Sequence, residues 1–143
     1  MRHRKHTFKI GRTDAHRRAM LANMVCSLFE HGQIETSVVK AKEARRLAER
    51  MITKAKNDSL HQRRIAISRL QQKDIVKKLF AEIAPQFAER AGGYTRIIRL
   101  GKRIGDAADM CILQLVSKAE EAPKKAKKEK ADAVKAEPEK KAE

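Results

Sequence analysis

Apolar residues first recur at helical spacing at Leu21, Met24, Val25, Leu28 and Phe29, so this segment has one apolar face and one charged face. Thr13 stands where an N-cap belongs and Gly32 just past the last repeat, which bounds the predicted helix. Residues 34–36 are short and β-prone. Ser37 is placed to cap a second helix, with a stripe of Ala44, Leu47, Ala48, Met51, Ile52 and Ala55. Either Asp58 or a Ser59/Gln62 capping box opens a short basic helix. Asp74 opens a fourth, with Ile75, Leu79 and Ile83 in register until Pro85 disturbs it.

The period then changes. Gly92 and Gly93 interrupt the helical pattern, and at least one of them is expected at a positive φ, turning the chain into a strand over 94–103. Residues 104–109 read as a turn. The nearly continuous apolar run 110–116 reads as a strand buried on both faces or covered by helices. The order α-β-α-α-α-β-β predicts an α+β fold of two layers, a small three-stranded sheet covered by helices.

Composition divides the chain into three parts. Residues 1–12 form a basic N-terminal arm, 13–117 the folded domain, and 118–143 a tail of almost only Lys, Ala, Glu, Asp and Pro. Such a tail cannot bury enough apolar surface to offset its ordering entropy and is expected to be disordered. Lys and Arg number 34 against 18 Asp and Glu, a net charge of +16. The excess does not come from the tail, because residues 1–117 alone hold 25 basic and 11 acidic residues. A compact body so charged repels itself unless a polyanion is present.

The chemistry that the residues offer is therefore phosphate binding. The arm and first helix carry Arg2, Arg4, Lys5, Lys9, Arg12, Arg17 and Arg18, with His3, His6 and His16 among them. Guanidinium groups give phosphate planar, bidentate donors and lysines give it point charges. A second cluster is Arg90, Arg96, Arg99, Lys102 and Arg103, with no acid between residues 90 and 105. On a strand Arg96 and Arg99 face opposite sides, which suits an edge position. Tyr94 reads equally as a base-stacking ring or as a packing residue. A third set, Arg45, Arg46, Arg63, Arg64, Arg69, Lys77 and Lys78, falls on polar helix sides, where solvation and phosphate contact are both open.

Other classes lack support. No carboxylate pair, nucleophile motif or phosphate-cradling glycine loop is present, so no catalytic residue and no cofactor are predicted. The histidines lack a carboxylate or thiolate at ligand spacing, and their cationic flanks oppose a divalent ion, so no metal is expected. Cys26 and Cys111, each within an apolar stretch, read as buried free thiols of a reducing compartment. With neither an apolar leader nor a stretch of about 20 apolar residues, a cytoplasmic protein is expected, with no membrane and no small-molecule substrate among its partners. A DNA-compacting protein would show a helix-turn-helix, a dimer heptad or a minor-groove wedge. A membrane-surface protein would set Trp or Phe opposite a lysine-rich face.

Taken in order, MRHRK, HRRAMLANMVCSL, IETS leading into VVKAKEARRLAERMI, and RAGGYTRIIRLGKRIGDAADM closely resemble the bacterial family of large-subunit ribosomal protein number seventeen. The likeness covers residues 1 to about 117. It implies a structural constituent of the ribosome in the cytoplasm, acting in translation and bound to large-subunit rRNA near the nascent-chain exit. Neighbouring ribosomal proteins, including number thirty-two, are implied partners. By position it implies rRNA contacts at Arg2, His3, Arg4 and Lys5, at His16 to Arg18, and from Tyr94 through Arg96, Arg99, Lys102 and Arg103. Ser37 and Gln114 depart from the family's commoner Thr and Glu, and the tail is longer than many members carry.

Overall fold

A computed structural model describes residues 8–116. The expectations for the first residues of the arm and for the tail lie outside this range. The elements run α1 (Asp14–His31), β1 (Gln33–Ser37), α2 (Val38–Ala55), α3 (Leu60–Leu70), α4 (Lys73–Lys78), a π-helical stretch (Leu79–Ile83), a last short turn α5 (Ala84–Gln86), β2 (Thr95–Lys102) and β3 (Asp109–Leu115). The order is the α-β-α-α-α-β-β read from the sequence, with the fourth helix modified. Both strand pairs are antiparallel, and β3, last in the chain, lies between β1 and β2.

Local chemistry sets the boundaries. Gly32 ends α1 in the left-handed region at φ 78°, its N–H donating to the Leu28 carbonyl. Thr13 and Ser37 take extended cap conformations without a side-chain cap hydrogen bond. At α3 the two expected caps separate: Ser59 Oγ accepts from the Gln62 N–H at 3.3 Å, while Asp58 pairs with Arg63 at 2.5 Å. Pro85 disturbs the fourth helix in a specific way. Proline has no N–H and its ring crowds the carbonyl four residues back, so the preceding turn widens. The Ala84 N–H reaches the Leu79 carbonyl five residues back, and the helix stops at Gln86.

Side chains alternate across a sheet, so the register separates its faces. Ile34, Leu113 and Ile97 form one cross-strand row facing the helices, and α2 packs over β3 and β2 while α1 packs over β1 and β3. Leu28, Phe29, Met51, Ile52, Leu79 and Leu113 are fully buried between the layers. The apolar run of β3 is thus explained by helices on one face only. On the other face Ile112 lies between Glu35 and Ile98, both exposed. Cys26 and Cys111 are free and buried. Burial, reinforced by the Glu30 charge, pushes the Cys26 thiol up to about 11.

Gly93 has φ +66°, whereas Gly92 lies outside the left-handed region, and neither has an atom within 4 Å of where a Cβ would stand. The cost of a side chain at Gly93 is therefore conformational and not steric. Gly93→Ala should lower stability by about 1 kcal/mol, while Gly92→Ala should be nearly neutral, as read by thermal melts. Equal effects at both positions would contradict this assignment.

Candidate nucleic-acid interface

β2 is an edge strand, so Arg96 and Arg99 can project from opposite faces without lying between two neighbours. Arg96 shares the open face with Gln114 and Gln33, and it is half-buried. Arg99 shares the helix-ward face with Cys111 and Thr36, yet it is exposed near the hairpin end of its strand. Its charge works against burial, which pushes the Cys111 thiol up. Between Arg99 and Gly101 the register shifts, leaving Leu100 unpaired in a bulge where Gly101 takes φ +104°. A bulge bends and twists an edge strand, which aims Lys102 and Arg103 out along the hairpin. Both are exposed.

The turn is held by its own charges. Arg103 donates from Nε and Nη2 to the two carboxylate oxygens of Asp106, at 3.1 and 2.5 Å. That fork, with the Ala108 N–H at 3.2 Å, holds the Asp106 carboxyl down at about 2. Part of Arg103's charge is consequently met within the hairpin, whereas Arg99 and Lys102 have no ion pair with another described residue.

The other cluster begins α1. Lys9 and His16 are exposed; Arg12 is half-buried and donates to the Ile10 carbonyl at 3.0 Å. Arg17 and Arg18 both pair with Asp14, and Arg17 also reaches the Phe8 carbonyl at 3.4 Å. His16 borders a groove with Glu35 and Thr36 at the far end of β1. Thr36 pairs with Cys111 and Cys111 with Arg99, which places Arg99 two strands away, about 10 Å at ordinary strand spacing. The start of α1 and the cationic hairpin, some 80 residues apart in sequence, therefore share one end of the sheet.

One candidate contact is corrected. Tyr94 is 1% exposed, too deeply buried for its ring to stack on a base. It packs edge-on against Phe87 with ring centroids 5.3 Å apart, and the Lys56 ammonium lies 4.8 Å from its ring centre. The same Lys56 donates to the Arg90 carbonyl. Tyr94 thus anchors the glycine turn from which the arginine strand departs. Arg50, absent from every cluster found by sequence, borders a cleft together with Arg18, Arg46 and Arg69. The i, i+4 spacing of Arg46 and Arg50 was visible in the sequence; that α1 and α3 would bring arginines to the same place was not.

A family model described as ribosomal protein L17 matches residues 20–116. The chain belongs to the ribosomal protein L17 family. A relative from Finegoldia magna, named large ribosomal subunit protein bL17, is 58% identical over 108 residues, which is 76% of this chain and 82% of the relative. Its namesake in Desulforapulum autotrophicum is 53% identical over 116 residues, 81% of this chain and 97% of its own length. One in Alkaliphilus metalliredigens is 56% identical over 108 residues, or 76% and 96%. The L17 family consists of ribosomal constituents, a structural class and not a catalytic one.

Proposed function

We propose that this chain is a structural constituent of the large ribosomal subunit that binds large-subunit rRNA through the hairpin end of its sheet and the first turns of α1. The observation that carries this reading is the meeting of the two cationic clusters at one end of the fold of an L17 family member. The contacts at that end run through Lys9, His16 to Arg18, Arg99, Lys102 and Arg103, continued by Arg2, His3, Arg4 and Lys5 in the arm; Arg96, at the other end of β2 and on the open face, makes a separate contact. Arginine forks and lysine charges hold the RNA backbone, and the small sheet keeps them in fixed register. The family likeness supports a place near the nascent-chain exit, beside neighbouring ribosomal proteins including number thirty-two. The protein fixes RNA geometry and turns over no substrate.

Substitution on the exposed edge provides the test. Arg99→Ala with Lys102→Ala should weaken binding to large-subunit rRNA by about a hundredfold, since each of the two charged hydrogen bonds is worth roughly 1.5 kcal/mol upwards. The melting temperature should stay within a few degrees of the parent's. Unchanged affinity in a filter-binding titration would refute the assignment of this edge.

A further inference from the structure

We infer that the cleft between α1, α2 and the end of α3 receives one unpaired nucleotide of the rRNA, its base against an apolar floor and its phosphates on the arginine rim. This rests on the rRNA-binding reading above, and it adds a site on a different face of α1.

The cleft holds about 640 Å³, enough for a base and its sugar. Its floor includes Ala15, Ala19 and Ala22 of α1, with Leu47 of α2 beside them. Alanines at these positions leave the helix surface low, so a flat group can lie on it. Arg18, Arg46, Arg50 and Arg69 stand around this floor, and Glu43 is the one acid lining it. The Glu43 carboxylate is already taken by Arg46 at 3.2 Å, and Arg18 shares Asp14 with Arg17. Arg50 and Arg69 have no ion pair with any described residue.

Two of the four guanidinium groups are met by carboxylates, so Arg50 and Arg69 leave the concavity with a net positive charge, and an apolar floor strengthens its field. An anion offsets that charge. Phosphate alone would leave the floor unused, and an apolar ligand would leave the rim unused, whereas a nucleotide uses both. Every cation at the rim is an arginine, the side chain that forks onto phosphate and also stacks on bases. In a paired helix the bases are stacked and out of reach, so the occupant is a nucleotide turned out of its strand. His16 and Arg18 belong to the same turn of α1 but point to opposite sides of it, so an RNA strand following the hairpin end of the sheet reaches the cleft by passing round the start of the helix.

The test uses the full chain and intact large-subunit rRNA. Arg50→Gln with Arg69→Gln should flatten the plot of log affinity against log salt by about 1.5 to 2 in slope, as expected for two lost phosphate contacts. Ala15→Trp fills the cleft and removes no charge; it should lower affinity roughly tenfold or more by displacing the base. Ala19→Trp, one turn away, borders both the cleft and the groove beside His16 and serves as the second variant, and melts distinguish a folded variant from an unfolded one. Chemical probing should show one base protected by the parent and exposed again with the tryptophan variant. If the arginine changes flatten the slope while both tryptophan variants bind and protect like the parent, no base enters and the inference is overturned. Unchanged binding by all variants overturns it too. Failure of the parent to bind this rRNA would instead sink the rRNA-binding reading itself.

Discussion

Affinity for large-subunit rRNA should fall by about 10³ to 10⁵ between roughly 50 and 200 mM salt, the response expected of ~6 to 10 phosphate contacts. On the rRNA-binding reading proposed above, two cations carry most of that slope. Arg99 and Lys102 are exposed without an internal carboxylate, so each displaces counterions at full value. Arg103 is forked onto Asp106, and Arg17 and Arg18 share Asp14, so each of these contributes less unless the RNA outcompetes its partner. Arg103→Ala should therefore reduce the slope less than Arg99→Ala does. Filter binding across a salt series measures both. A nearly flat response in the parent would mean that contacts other than phosphate hold the complex.

The second large effect concerns the fold. Leu113→Ala should destabilise the domain by about 2 to 5 kcal/mol. Leu113 is fully buried at the middle of the central strand, between Ile34 and Ile97, under the helices. Removing its branched end leaves a cavity that three packed elements cannot close. Leu100, by contrast, is half exposed in the bulge, and Leu100→Ala should stay within about 0.5 kcal/mol of the parent. Denaturant melts of the two variants decide this, and similar losses at both positions would show that the sheet's covered face is assigned wrongly.

Elements whose cause is local were legible in the sequence. Gly32 closing α1, the change of period after the two glycines, and the turn between β2 and β3 all depend on neighbours within a few residues. So did the edge character of β2, because arginines on alternate faces suit no central strand. What depended on distant partners was not legible. Nothing in the run 110–116 says that the last strand would take the middle of the sheet. Pro85 announces a disturbance without fixing its form, since a kink, a break or a widened turn all relieve the same clash, and the turn at Leu79–Ile83 is widened. Tyr94 sits beside two glycines and within a cluster of five cations, a composition equally suited to RNA and to core. Phe87 and Lys56, contributed by other segments, make it a core residue. The arginine cleft has the same origin, since three helices each bring part of it.

Sedimentation of a cell extract bears most directly on whether this chain is part of the large ribosomal subunit. The protein should travel with large subunits on a sucrose gradient and stay with them through a moderate salt wash, held by many simultaneous contacts. Migration with chromatin or membranes, or release as free protein at low salt, would contradict it.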